Sequence, residues 1–222
     1  MPARSPRRRR RSVRAAVIVI AAMLVAGIGL VVILPSLDIS GRQIPALALE
    51  AYRAASRAAP TIRKGCSVDW EVLAALGKVE SDHGRVGGRT IRADGTVEPA
   101  IIGPPLDGTA GTQAIADTDR GTLDGDTRWD HAVGPLQFIP TTWRELGRDG
   151  NHDGRKDPNN LFDAALTATA HLCLREPGNY ADRIQLRRSL IAYNRSARYA
   201  DEVLAWIDTY RSMPAQDLTA AR

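Results

Sequence analysis

The chain has 222 residues, a formal net charge of +5 and 44% apolar residues. That content is too apolar for a disordered chain, and two cysteines exclude a small scaffold held by several disulfides. Much of the positive charge lies at the front: Arg7 to Arg11 and Arg14 form a basic run, with residues 1–14 as a cytoplasmic N-terminus. Ala15 to Leu34 follow with no charged residue. About 20 apolar residues suffice to cross a bilayer as a helix, and flanking arginines stay on the cytoplasmic side. The sequence therefore predicts one transmembrane anchor over 15–34, a single pass through the cell membrane and an extracytoplasmic remainder. The apolar run is longer than that of a cleaved signal peptide, and the first A-x-A form after it, Ala46 to Ala48, lies well beyond it. In that context the arginines serve topology, and no nucleic-acid partner is expected.

Residues 35–45 read as a linker. An Ala-rich helix follows over 46–60, with Pro60 as its stop. Cys66 and Cys173 lie in the exported part, where oxidising conditions favour a disulfide; the alternative is two buried free thiols. Ser67 is a candidate cap for a helix that carries Asp69 and Glu71 early and runs to about Asp82. From 84 to 130 the helical period disappears, and TIRADGTVEPA predicts a hairpin around Asp94-Gly95. Helices resume near Pro140, with Thr141 or Thr142 starting one, and continue over 163–174, 181–194 and 199–210. A polar tail, 214–222, is expected to be flexible. The whole predicts a mainly α domain over 46–213 with a small β element.

Four segments could carry chemistry. In KVESDHGRVGG, Glu80 shares a helix face with Leu73, Leu76 and Gly77, opposite Lys78 and Glu71. A carboxyl on the buried face loses hydration, and its pKa rises; that suits a general acid. The alternative is a half-exposed glutamate paired with Arg85 or Arg89. In HAVGPLQFIPTTW, Gln137 stands between Leu136 and Phe138, either as a cleft amide or as a buried structural one. In DGNHDGRKDPNNLFD, Asp149, Asn151, Asp153 and Gly154 match the opening of a calcium loop. The usual acid at position 12 is replaced by Asn160; Asp163 could close a longer loop or cap the next helix. In LIAYNRSARYADEVL, Tyr193 and Asn194 fall at a helix–helix joint and could reach a cleft. The four histidines show no metal-hydrolase spacing, and no G-x-S-x-G occurs.

Taken in order, KVESDHGR, IIGPPLDG, DTDRGTLDGD, WDHAVGPLQFIPTTW, DGNHDGRKDPNNLFDAALTATAHLC and AYNRSARYADEVL resemble the membrane-bound lytic murein transglycosylases of the B type, in their actinobacterial form. The resemblance spans about 66 to 206. It implies a lysozyme-like helical fold and peptidoglycan glycan strands as partner. It implies cleavage between N-acetylmuramic acid and N-acetylglucosamine, with a 1,6-anhydro ring as product. Glu80 then matches the family's single acid/base, and Gln137, Tyr193 and Asn194 its sugar-binding groups. The loop from Asp149 to Asp163 matches a lengthened calcium loop, with Asp149, Asn151, Asp153, the Arg155 carbonyl and Asp163 as ligands. Calcium would be structural; the chemistry needs no cofactor. A water-using muramidase and a non-catalytic wall-binding protein are the competing readings. The family often has a serine where Arg128 stands here. Asp82, His83 and the acidic stretch 117–126 receive no role.

Overall fold

The computed structural model describes residues 40–109, 112–175 and 180–219. The basic run and the apolar segment 15–34 lie outside them. Among the described residues no helix is long and apolar enough to cross a membrane.

The described chain forms six α-helices: α1 (Ala46–Ile62), α2 (Trp70–Ser81), α3 (Pro140–Leu146), α4 (Leu161–Arg175), α5 (Arg183–Asn194) and α6 (Ala197–Ser212). Four short strands interrupt them: β1 (Thr90–Ile91), β2 (Val97–Glu98), β3 (Ile102–Pro105) and β4 (His131–Val133). They make two antiparallel pairs, β1 with β2 and β3 with β4, the second with a register shift. The mainly α expectation with a small β element holds, and the hairpin turn falls at Asp94-Gly95 as predicted.

The core grows around α2. Val72 to Gly77 are buried without a break, so α2 is enclosed on nearly all sides rather than amphipathic. Lys78, expected on the water face, is covered: its ammonium lies 4.9 Å from the Trp206 ring centroid of α6 and donates to the Gly41 carbonyl at 2.7 Å. On α1, Ala48, Leu49, Ala51, Tyr52, Ala55 and Ala59 form the buried stripe that meets α4 and α2. Small side chains there let the helix backbones approach closely.

Several expected boundaries move. Pro60 does not stop α1, which continues to Ile62; near the C-terminus proline forfeits only its own N–H, and Arg63 N–H still closes on the Ala59 carbonyl. Ser67 does not cap α2. Asp69 holds the cap position, but its carboxylate accepts from Arg211 on α6 at 2.8 Å. Helix α3 starts at Pro140 itself, with Ile139 before it. Ser196 does cap α6, accepting from the Tyr199 N–H. The tail assigned to 214–222 is fixed as far as 219: Leu218 is buried and its carbonyl accepts from the Ile44 N–H at 2.7 Å. Ile44, assigned to the linker, is fully buried.

Cys66 and Cys173 form a disulfide, with Cα atoms 5.7 Å apart and a sequence separation of 107. It ties the segment entering α2 to the last turn of α4. A loop of that length lowers the entropy of the unfolded chain by a free-energy equivalent of about 5 kcal/mol.

Candidate active site

Helix α2 ends where the chain turns left-handed at Asp82 and His83, with φ of 52° and 60°. The His83 N–H reaches back to the Gly77 carbonyl at 2.8 Å, closing the helix in a Schellman-type stop. The His83 ring is buried between two phenols, with Nδ1 3.2 Å from Tyr52 Oη on α1 and Nε2 2.9 Å from Tyr210 Oη on α6. Burial, reinforced by the nearby Arg85 charge, pushes its pKa down to about 3, so the imidazole is neutral and one nitrogen donates while the other accepts. Room for this clamp depends on Gly77, where a β-carbon would lie 2.0 Å from Tyr52 Oη. His83 thus fixes the end of the helix that carries Glu80.

Asp82 points away from the chemistry. It pairs with Lys78 at 2.5 Å and with Arg85 at 3.1 Å. Burial works to raise its pKa, but these hydrogen bonds and charges outweigh it and leave it low. Arg85 is therefore occupied by Asp82, and Arg89 donates to the carbonyls of Val86, Pro99 and Ala100. The alternative pairing of Glu80 with either arginine is overturned.

Glu80 instead faces a cleft of about 1260 Å³, together with Gln137, Tyr193 and Asn194. The structure brings all four predicted residues together. Glu80 keeps a solvent-facing edge toward the cleft, while protein surrounds the rest of its carboxyl. Burial pushes its pKa up to about 7; the Tyr199 hydroxyl, donating to Oε1 at 2.5 Å, partly opposes the rise. Tyr199 was missed in sequence. It lies on the first turn of α6, is buried, and its own pKa is raised by burial. Nothing in RYADEVL distinguishes it from an ordinary core tyrosine.

Gln137 is placed by a tight turn in which Val133 and Phe138 exchange backbone hydrogen bonds at 2.8 and 3.0 Å. Both Gly134 and Gln137 are left-handed there. A β-carbon on Gly134 would lie 1.8 Å from the Pro158 carbonyl oxygen, so this turn admits only glycine at that position. The Gln137 amide donates to the Gly134 carbonyl at 2.9 Å and is half-buried in the cleft wall. Tyr193 donates to the Leu136 carbonyl at 3.2 Å. Its ring lies parallel to that of Tyr199, 6.4 Å between centroids, and meets the edge of His171 at 4.8 Å. His171, also missed in sequence, lines the cleft; burial and the Arg175 charge push its pKa down to about 4. Arg128 does not line the cleft, and its side chain is 82% exposed.

The predicted cation ligands lie along the loop from Asp149 to Asp163, with His152 and Gly154 left-handed within it, but Asp149, Asp153 and Asp163 do not converge as a set of three carboxylates. Asp149 accepts from the N–H groups of Asp153 and Gly154, and Asp163 from those of Gly150, Asn151 and Asp157. Asp163 lies in the first turn of α4, but it turns toward the loop and does not cap the helix. Asn160 takes that part, accepting from the Phe162 N–H at 2.9 Å while its amide ties the Asp94 carbonyl of the hairpin. Burial raises the Asp163 pKa, and the charge of Asp149 adds to the rise. An all-oxygen donor set with unneutralised carboxylates suits a hard cation. The carboxylates that do converge, among the described residues, are Asp117, Asp119 and Asp130, within 4.8 Å of one another. Asp130 there is fully buried and is held by the Thr118 N–H and hydroxyl.

Residues 112–186 match the family model described as the transglycosylase SLT domain. That stretch holds Gln137 and the Asp149–Asp163 loop but neither Glu80 nor Tyr193. No curated protein matches the chain. In fold it is similar to the Escherichia coli lytic transglycosylase Slt35 solved with calcium, at 13% identity and a TM-score of 0.48, over 79% of this chain and 75% of that one. The same E. coli enzyme solved with bulgecin A gives 13% and 0.46, again over 79% and 75%. SltB3 from Pseudomonas aeruginosa, solved with NAG-anhNAM-pentapeptide, gives 16% and 0.42, over 78% and 66%.

Proposed function

We propose that this protein is a peptidoglycan lytic transglycosylase of the B type with a lysozyme-like catalytic domain. It cleaves the β-1,4 bond between N-acetylmuramic acid and N-acetylglucosamine and leaves a 1,6-anhydromuramyl end. One observation carries this reading: among the described residues, Glu80 is the only carboxyl lining the cleft, and burial keeps it protonated to about neutral pH. Inverting and retaining hydrolases generally place a second carboxylate about 5–10 Å from the first. A single acid/base fits a reaction whose nucleophile belongs to the substrate.

In the proposed sequence Glu80 donates its proton to the glycosidic oxygen as the muramyl C1–O bond breaks. The muramyl N-acetyl group stabilises the developing positive charge at C1. The C6 hydroxyl then attacks C1, and its proton returns to the ionised Glu80. No water is consumed, and the enzyme ends protonated as it began. Tyr199 steadies the carboxylate between the two proton transfers, which is when its hydrogen bond is strongest. Gln137 and Asn194 supply amide groups that orient the sugar, and Tyr193 forms the wall beside them.

The match of residues 112–186 supports the family reading, and the ordered motifs on either side extend it to Glu80 and to Tyr193-Asn194. Digestion of sacculi with wild type and Glu80→Gln, followed by mass analysis of the muropeptides, tests it. Anhydromuropeptides from wild type and none from Glu80→Gln are expected. Reducing-end muramic acid would identify a muramidase; binding of sacculi without release by either form would identify a wall-binding protein. The anchor over 15–34, with the domain outside the cell membrane, is part of the proposal. A reporter fused at the C-terminus checks it, and a cytoplasmic signal would refute that topology.

A further inference from the structure

Among the described residues, three charged ones line the cleft: Glu80, Arg175 and Arg195. Glu80 begins the proposed reaction uncharged, and Arg175 is ion-paired with Glu145. Arg195 has no carboxylate partner among the described residues. Its guanidinium donates one hydrogen bond, from Nη1 to the Gln113 side-chain oxygen at 2.6 Å. Gln113 and Arg195 both line the cleft and come from different parts of the chain, so this bond holds the guanidinium in the cleft wall.

Arg195 follows α5 in the left-handed region, φ 54°, and its N–H closes the helix on the Ile191 carbonyl. It directly follows Tyr193-Asn194 and precedes Ser196, the cap that presents Tyr199 to Glu80. The cation is therefore built into the same joint as the sugar-binding amide and the phenol on the acid.

Resting on the function proposed above, the chemistry of the substrate says what such a cation meets. The sugars of a glycan strand are uncharged. Its negative groups are the free carboxylates of the stem peptide, attached through the lactyl ether of the muramyl residue whose C1 reacts. A planar guanidinium with N–H groups to spare matches a carboxylate in fork geometry. We propose that Arg195 binds a free carboxylate of the stem peptide on the reacting muramyl residue, and that the enzyme prefers strands with free stem-peptide carboxylates to strands in which these are amidated.

The test compares glycan strands whose stem peptides have free carboxylates with the same strands after those carboxylates are converted to amides, using wild type, Arg195→Gln and Arg195→Lys. Wild type should favour the strands with free carboxylates in kcat/KM by about tenfold or more, the scale of one charge-assisted hydrogen bond. Arg195→Gln should bring the ratio close to one, and Arg195→Lys, which keeps the charge without the fork, should fall between. Equal ratios in wild type and Arg195→Gln overturn the proposal. The same strands, fluorescently labelled, are titrated against Glu80→Gln with and without Arg195→Gln. Binding measured that way judges the carboxylate site even if product chemistry refutes the role of Glu80. A loss of binding that is equal for both strand types also overturns it.

Discussion

Tyr199→Phe isolates the electrostatics of Glu80. The change removes one oxygen, 2.5 Å from Glu80 Oε1, and keeps the ring that lies parallel to Tyr193. The lost bond favours the ionised carboxylate, so its removal leaves Glu80 protonated to higher pH. Hydrogen bonds to charged groups contribute about 1.5–3 kcal/mol; at 1.36 kcal/mol per pKa unit this is a rise of about 1–2 units above the present value near 7. The pH profile of kcat/KM for anhydromuropeptide release should have an alkaline limb set by the protonated acid, and in Tyr199→Phe that limb should move up by about that amount. At low pH the variant should be slower, because in the proposed reaction the carboxylate that recovers the C6 proton has lost its support. A carbon-13 titration of the glutamate carboxyl reads the same shift without turnover. An alkaline limb that stays in place, or moves down, refutes the assignment of Tyr199 as the group that holds Glu80 toward ionisation.

Three further outcomes follow from the same structure. Glu80 has a folded-state pKa of about 7, raised from its ordinary 4.5, so the folded state binds the extra proton between these values. Its contribution to stability is complete below about 4.5 and is lost as pH rises through 7, by roughly 3 kcal/mol in all. Glu80→Gln should therefore raise the melting temperature at pH 8 and change it little at pH 5; equal shifts at both would refute the burial argument. Replacing Cys66 and Cys173 with serine should cost about 5 kcal/mol in urea unfolding, and a loss under 1 kcal/mol would show that the unfolded chain is not the state constrained. If the Asp149–Asp163 loop binds calcium, added calcium should raise the melting temperature and a chelator should reverse it; Asp163→Asn should abolish the response, and a response unchanged in that variant would exclude this loop.

The residues legible in sequence were those tied to local pattern. The hairpin at Asp94-Gly95 follows from the conformations those two residues allow. Glu80 was legible as to face, because Leu73, Leu76 and Gly77 are indeed buried with it. The opposite face does not meet water as expected, since α6 covers Lys78 with Trp206. A helix enclosed on all sides has no reliable polar face, and charged groups there survive by local pairing, as Lys78 does with Asp82 and Gly41. The same limit explains Ser67, Ile44 and Leu218. Ser67 lies two residues ahead of the cap position that Asp69 holds, and Ile44 and Leu218 depend on two chain ends meeting across the fold, which no local period records.

Tyr199 and His83 show what this enclosure does for the site. A buried carboxyl near the end of a helix needs that end to be fixed from the far side. His83 does so through Tyr52 of α1 and Tyr210 of α6, while Tyr199 of the same α6 meets the carboxyl itself. Helix α6 therefore makes two contacts around one short segment, one to the helix stop and one to the acid, on residues eleven positions apart (about three turns). A displacement of α6 along its axis would strain both at once. That coupling gives a physical reason for a neutral, doubly hydrogen-bonded histidine directly after the acid. A histidine that became charged would donate from both nitrogens, leave one phenol's O–H without its acceptor and loosen the frame in which Glu80 holds its proton.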